Sequence, residues 1–213
     1  MRLDLVWREE DGARLPATVW RPGPGLRTLS SALVGGGFAT PGWVLNAQVR
    51  GQYARMDPDV HLAELAARFG LDGPGVGMLT AAAVDRTFHG ADAGVTAAAT
   101  VGLRVPTWAA APAGAADPQL APGTINITVA VPVPLSDAAL VNAVMTATEA
   151  KTQALLEAGY ACTGTASDAL CVAAPVPSGA AEPFAGPRSP WGARIARAVH
   201  FAVRAGAENY PFR

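Results

Sequence analysis

Half of the 213 residues are hydrophobic, but alanine supplies much of that share and only 7% are aromatic. Charged residues make up 15% and the formal net charge is −1, which argues against nucleic acid and anionic membranes as partners. The length fits one domain, 1–213, with a core closely packed from small side chains.

The chain carries no pattern typical of export or membrane insertion. Its first ten residues hold charges where a signal peptide needs an apolar core, and the longest uncharged run, 118–135, contains four prolines. Cys162 and Cys171 are too few for a disulfide framework and match no metal-binding spacing. We therefore expect a soluble, cytoplasmic protein.

Alternating patterns and turn residues divide the chain into strands and helices. Residues 2–7 and 14–20 alternate around Glu10–Gly12 and predict an opening β-hairpin. This order predicts an α/β fold, a single domain with a mixed β-sheet and packed helices, whose strand order stays open. The further predicted elements are strands at 29–34, 43–49, 75–83, 94–103, 123–131 and 168–173, helices at 58–69, 136–158 and 190–205, and loops at 106–122 and 174–189.

The long helix at 136–158 places polar residues among its apolar ones. At 100° per residue, Thr148 falls in the middle of the stripe that the larger apolar residues form. Thr152 also falls within it, Lys151 lies inside its edge, and Glu149 lies on the opposite border, where a solvated charge is expected. Either Lys151 extends its ammonium to solvent from the rim, or Thr148, Lys151 and Thr152 line a polar pocket.

Asp168 stands at the entrance to a buried strand. It follows the turn Thr163–Thr165 and opens an apolar run. Its carboxylate either accepts hydrogen bonds from that turn or supplies the counter-charge that a buried Lys151 requires. The sequence leaves both interpretations open.

Several other patterns have a structural explanation that competes with a functional one. Asn46 and Asn126 interrupt predicted strands, so each needs a specific hydrogen-bond partner, from the protein or from a ligand. Gly35–Gly37 is typical of a plain turn more than of a phosphate loop. The histidines at 61, 89 and 200 lack metal-ligand spacing, with His89 in a loop, and Cys162 is expected as a buried small hydrophobe.

A series of short motifs runs in order through residues 28–203 and resembles the adenosylcobinamide amidohydrolase family. The pair Gly123–Ile127 and Ala147–Thr152 carries most of the specificity. The complete series is Ser30–Ala32, Trp43–Asn46, Val76–Ala81, Thr100–Leu103, Gly123–Ile127, Ala147–Thr152 and Thr163–Asp168.

The resemblance implies a role in cobalamin salvage. The family hydrolyses the amide that joins aminopropanol to a corrin propionate of adenosylcobinamide, which releases adenosylcobyric acid. A corrinoid is therefore the expected substrate, no cofactor is expected, and a homo-oligomer is possible. Because metal-ligand spacing is missing, no metal is expected, and metal-dependent hydrolysis is kept as a third alternative. The alternative is a corrinoid-binding carrier or sensor without catalysis.

Residue chemistry suggests how the work is divided among the candidates. Glu149 is a candidate base for a water molecule, and Lys151 a candidate for stabilising the oxyanion, while a threonine activated by Lys151 is the competing arrangement. Asp168 completes the catalytic set. The predicted substrate-binding residues are Ser31, Asn46, Thr80, Thr124, Asn126, Thr148, Thr152 and Thr165.

Overall fold

Two β-sheets packed face to face carry the strands in the computed structural model, which describes residues 1–115 and 123–210. All the predicted strands and helices are present, with shifted ends. The elements are β1 Asp4–Glu10, β2 Ala13–Trp20, β3 Leu26–Ser30, β4 Gly37–Ala39, β5 Trp43–Gln48, α1 Pro58–Arg68, β6 Gly75–Thr80, β7 Phe88–Asp92, β8 Val95–Val101, β9 Ile125–Ala130, α2 Asp137–Glu157, β10 Ala169–Pro175 and α3 Pro190–Glu208.

The sheets have different sizes, and each contains one parallel pair of strands. The four-stranded sheet has the order β1-β2-β5-β6, in which β5 and β6 are parallel. The six-stranded sheet has the order β4-β3-β10-β9-β8-β7, in which β9 and β10 are parallel. The prediction of an α/β fold with mixed strand directions is confirmed, and the strands are divided between two sheets.

Period-two alternation on the strands explains the layers. Leu45 of β5 points outwards and packs with Leu62 of α1, whereas its neighbour Val44 points inwards and packs with Cys171 of the other sheet. On the six-stranded sheet, Ile127 faces outwards into the core shared with α2 and α3. The order of layers is therefore α1, four-stranded sheet, six-stranded sheet, and then α2 with α3.

Helix α2 buries a face of small residues that differs from the predicted stripe. Val141 and Leu156, which helped to define that stripe, are 46% and 48% exposed. Thr148 is exposed as well, so its predicted position in the middle of the buried face is wrong. Alanine side chains on this face let α2 and α3 approach closely. The residues of the buried face are Ala139, Leu140, Ala143, Thr146, Ala147, Ala150, Lys151, Ala154 and Leu155.

The remaining differences concern short elements. The predicted strand at 29–34 ends at Ser30, because the chain then turns through Gly35, where any side chain would overlap the backbone of Gly75. His89 lies in β7 and not in a loop, and the short strand β4 was not predicted. Residues 116–122 of the predicted loop 106–122 lie outside the described residues.

Candidate functional site

A cleft of about 380 Å³ opens where the two parallel strand pairs meet. The carboxyl ends of β5 and β6 and the amino ends of β9 and β10 converge there, so segments far apart in sequence share one edge of the sandwich. The residues that line the cleft, and which define it below, are Ser31, Leu33, Val49, Tyr53, Pro58, Met78, Leu79, Thr80, Ala81, Thr124, Ser167, Asp168 and Ala169.

Four predicted site residues line this cleft, and backbone groups orient two of them. The Ser31 hydroxyl accepts a hydrogen bond from the Leu170 N–H at 3.0 Å, and Thr80 Oγ1 accepts one from the Ala82 N–H at 3.0 Å. Within the described chain neither hydroxyl donates to another protein atom, so each retains a proton for a ligand oxygen. The other two are Thr124 and Asp168.

Thr124 and the neighbouring Ser167 form a hydroxyl pair in the cleft. Their oxygens are 2.7 Å apart, and the Ser167 hydroxyl also donates to the carbonyl oxygen of Gly123 at 3.4 Å. With Thr124 donating to Ser167, both protons of the pair are in use. The long bond to Gly123 is the weaker one, so the Ser167 proton is the one that can turn to an oxygen bound in the cleft. Ser167 was not singled out from the sequence, although it lies within the Thr163–Asp168 motif.

Lys151 and Asp168 form a buried ion pair. The Lys151 ammonium donates to Asp168 Oδ2, and the two side chains are only 10% and 14% exposed. The prediction that Asp168 supplies the counter-charge for a buried lysine is confirmed, and the alternative of an ammonium extended into solvent is wrong. Pairing is needed because an isolated buried charge is costly.

The same carboxylate also holds the turn, so both interpretations of Asp168 apply. Its oxygens accept from the Thr165 N–H at 3.1 Å, from the Thr165 hydroxyl and from the Ile125 N–H at 3.0 Å. With the ammonium this makes four hydrogen bonds, which is close to the capacity of a carboxylate. Asp168 is therefore suited to joining α2, β9 and the Thr163–Asp168 turn more than to accepting a proton from water.

Gly164 leaves the space that the ion pair occupies. A Cβ atom at this position would overlap both the Asp168 carboxylate and the Lys151 ammonium. The turn is further fixed to α2, since the Thr152 hydroxyl donates to the Thr163 carbonyl oxygen at 3.2 Å. Thr152 and Thr165, both predicted as substrate-binding residues, thus make contacts within the protein near the cleft.

Asn46 and Asn126 lie between the sheets, beneath the cleft. The Asn126 amide donates to Asn46 Oδ1 at 2.8 Å and to the Leu79 carbonyl oxygen at 2.9 Å, and the Asn46 amide donates to the Thr100 hydroxyl at 3.1 Å. The amide NH2 groups of both asparagines therefore find their partners within the protein, whereas Asn126 Oδ1 is buried and has no partner among the described residues. The two side chains connect the four-stranded and six-stranded sheets.

Glu149 and Thr148 are not brought to the cleft. Both are exposed on the outer face of α2, where the Thr148 hydroxyl donates to the carbonyl oxygen of Val144 at 2.9 Å. The direction of their side chains follows from the alanine-rich face that α2 buries. Their position gives no support to the predicted roles in activating water and binding substrate.

Tyr53 lines the cleft from the segment between β5 and α1 and was missed by the sequence analysis. Its phenol oxygen lies 3.0 Å from Nδ1 of His61, which is buried on α1. No periodicity marks this segment, and the contact depends on the way the chain turns into α1. The contact between Tyr53 and His61 could therefore not be predicted from the sequence.

Neither cysteine is suited to act as a nucleophile. Burial raises the pKa of the Cys162 thiol, and it raises the pKa of the Cys171 thiol to about 12. In residues 1–115 and 123–210, no three His, Cys, Asp or Glu side chains cluster closely enough to hold a metal ion. In the same part of the chain, no helix has the length and apolar character needed to cross a membrane.

Comparisons with known proteins agree with the resemblance. The family model of adenosylcobinamide amidohydrolase matches residues 3–211. A protein of that name from Methanosarcina mazei is 32% identical over 181 residues, which cover 81% of this chain and 86% of the relative. Another from Halobacterium salinarum is 44% identical over 89 residues, 41% of this chain and 37% of the relative. The chain therefore belongs to the adenosylcobinamide amidohydrolase family and is an amidohydrolase.

Proposed function

We propose that this protein hydrolyses the amide between aminopropanol and the corrin propionate of adenosylcobinamide, which yields adenosylcobyric acid for cobalamin salvage. The observation that carries the proposal is the convergence of Ser31, Thr80, Thr124 and Asp168 on one cleft. These residues come from separate motifs of the family resemblance, and the family model spans nearly the whole chain.

The chemical character of the cleft supports a corrinoid substrate. A corrin is flat and mostly apolar, with amide arms around its edge. Leu33, which is 58% exposed, offers apolar surface at the cleft together with Val49 and Met78. The hydroxyls of Ser31 and Thr80 can donate to amide oxygens. Apolar walls with a few oriented polar groups are typical of small-molecule sites.

We assign stabilisation of the developing oxyanion to the hydroxyl pair of Thr124 and Ser167. As water adds to the amide carbon, negative charge collects on the carbonyl oxygen, and a hydroxyl that turns its proton from the Gly123 carbonyl oxygen to that oxygen lowers the barrier. Lys151 then serves as a positioning residue. Through Asp168 its ammonium holds the turn that presents Ser167, and the substrate is not required to contact the lysine.

Incubation of the purified protein with adenosylcobinamide in ¹⁸O-labelled water tests this function. We expect release of aminopropanol and a corrinoid product whose new carboxylate carries one ¹⁸O atom, as measured by mass spectrometry. Tight binding with no release of aminopropanol would contradict hydrolysis and favour a carrier or sensor. Release without incorporation of ¹⁸O would show that water is not the group that replaces the amine.

A matched pair of threonine variants tests the assignment within the cleft. Thr124→Val removes a hydroxyl from the pair and keeps the shape of the side chain, so we expect kcat to fall about a hundredfold. Thr148→Val makes the same change on the exposed face of α2 and should leave kcat unchanged. Equal activity of the two variants would refute the role of the hydroxyl pair.

A further inference from the structure

A chain of hydrogen bonds through three ionisable side chains connects the cleft with a second surface pocket, which Glu10 and His61 help to line. Tyr53 Oη lies 3.0 Å from His61 Nδ1, and His61 Nε2 lies 3.2 Å from Glu10 Oε1. The tyrosine and imidazole rings are stacked, with centroids 5.5 Å apart and planes inclined by 15°. Glu10 is held in turn by Arg8, whose guanidinium donates to Glu10 Oε2 and to the Gln48 carbonyl oxygen at 2.7 Å.

The protonation states along this chain follow from that of Glu10, the residue at the end far from the cleft. Burial tends to raise the pKa of the Glu10 carboxyl, but the hydrogen bonds and charges of Arg8 and His61 outweigh burial and hold the pKa below its ordinary value of 4.5. An ionised Glu10 only accepts, so His61 Nε2 carries the proton that it shares with Glu10. In the neutral imidazole, Nδ1 is then an acceptor, and the Tyr53 hydroxyl donates to it.

We propose that Tyr53 is a catalytic residue that transfers the proton of the attacking water to the leaving amine, with His61 and Glu10 as its positioning residues. This inference rests on the proposed function and identifies the proton-transfer group in the same cleft. Tyr53 takes the role of activating water that the sequence predicted for Glu149, which lies outside the cleft.

The proposed steps balance in atoms and charge. As the water oxygen bonds to the amide carbon, its proton passes to Tyr53 Oη while the phenol proton passes to His61 Nδ1, and Glu10 stabilises the resulting imidazolium. When the C–N bond breaks, the proton returns from His61 to Tyr53 and the phenol gives its proton to the amine nitrogen. The products are a carboxylic acid and an amine, which then exchange a proton with solvent.

The tyrosine acts as a shuttle and never needs to stand as a free phenolate. Burial raises the pKa of the Tyr53 hydroxyl above its ordinary value of 10.0, which disfavours an isolated phenolate at neutral pH. Because Tyr53 gains one proton as it loses another, no free phenolate forms. His61, which is 3% exposed, does not line the cleft, so the phenol of Tyr53 connects it to the reacting atoms.

The other groups around His61 keep their charges at neutral pH. Hydrogen bonds from Arg55 hold the pKa of the Asp57 and Glu64 carboxyls below their ordinary values. The carboxylates are therefore ionised, and arginine stays charged throughout. The ionisable groups that face or adjoin His61 are Tyr53, Arg55 and Asp57 from the segment before α1, Glu64 and Arg68 from α1, and Arg8, Glu10 and Asp11 from the opening hairpin.

A pair of tyrosine variants gives the first test, with adenosylcobinamide as substrate. Tyr53→Phe keeps the stacked ring and removes the shuttling oxygen, so we expect kcat to fall at least about a hundredfold with little change in KM. Tyr160→Phe removes a phenol that donates to the Ala207 carbonyl oxygen, away from the cleft, and should keep wild-type kcat. An equally active Tyr53→Phe would refute the proposal, even if the wild-type enzyme releases aminopropanol as proposed.

The separate effects on kcat and KM give the second test, because a purely structural role would change both constants. Glu10→Gln removes the carboxylate that stabilises the imidazolium formed during proton transfer, so we expect kcat to fall at least about tenfold while KM stays near its wild-type value. Glu157→Gln makes the same change beside the more exposed His200, 2.8 Å away, and should leave both constants unchanged.

The two proposals fail in different ways. A wild-type protein that releases no aminopropanol contradicts the proposed function and, with it, this inference. An active wild-type enzyme whose kcat is unchanged in Glu10→Gln refutes the relay alone. If Tyr53→Phe proves unstable, Glu10→Gln still decides, since that variant keeps the phenol and the imidazole in place.

Discussion

Replacing Lys151 with methionine is the sharpest test of the buried ion pair. Methionine keeps an apolar stem of similar length and removes only the charged end. The ammonium is lost from Asp168, whose carboxylate then keeps the hydrogen bonds from the Ile125 N–H and from the N–H and hydroxyl of Thr165. The variant therefore separates the charge at residue 151 from the packing of α2.

The expected loss of stability follows from these remaining contacts. Breaking a fully buried ion pair costs about 3–5 kcal/mol when the surviving charge is left unpaired. Asp168 keeps three donors and is 14% exposed, so we expect the free energy of unfolding to fall by about 2 kcal/mol. We expect a larger effect on catalysis, at least about a hundredfold in kcat, because the turn that presents Ser167 loses its charged connection to α2 and is left with the hydrogen bond from Thr152 to Thr163.

Urea unfolding and turnover of adenosylcobinamide measure the two effects in the same preparation. Arg204→Met is the matched control, since it removes a cation from largely exposed pairs with Glu157 and Glu208 and should cost less than about 1 kcal/mol without changing kcat. Near-wild-type turnover by a folded Lys151→Met would refute the positioning role. An unchanged free energy of unfolding would refute the reasoning from burial.

Three further results are expected. Gly164→Ala places a Cβ atom against the ion pair and should lower kcat to a degree similar to Lys151→Met. Gly179→Ala, with no atom within 4 Å of the added Cβ, should not lower kcat. Equal kcat for the two alanine variants would contradict the packing argument. Iodoacetamide at about pH 8 should leave the folded protein active and both buried thiols unmodified, with the modification state of Cys162 and Cys171 measured by mass spectrometry. Rapid alkylation of either cysteine with loss of activity would count against their burial. Turnover should survive a chelator, and activity lost on chelation and restored by zinc would overturn the prediction that no metal takes part.

Local signals in the sequence predicted the elements well, but not their division between two sheets. Alternation and capping residues act over a few positions, which is why α2 and the hairpin β1–β2 were predicted with nearly correct ends. Sheet membership depends on pairing between distant segments, such as Ser30 of β3 with Cys171 of β10. No short-range pattern carries that information.

The prediction of the buried face of α2 failed for a physical reason. Larger apolar residues were taken to mark the core, yet alanine marks it here because helix and helix approach closely. Val141 and Leu156 therefore point outwards. The ion pair was nevertheless one of the two predicted alternatives, since Lys151 falls near the buried face by either description and a buried cation requires a counter-charge.

Lys151 is the only lysine among the 16 lysine and arginine residues of the chain, and its surroundings explain why arginine does not serve there. The Gly164 backbone lies so close to the ion pair that even a methyl group at this position would overlap it. A compact ammonium donates from a single point, whereas the planar guanidinium of arginine needs room for a fork of five N–H groups. Asp168, with its remaining hydrogen bonds already made to Thr165 and Ile125, offers one free position and no bidentate edge. Lys151 and Gly164 therefore depend on each other, because a small cation fits between α2 and the turn that leads into the cleft only where the residue opposite it has no side chain.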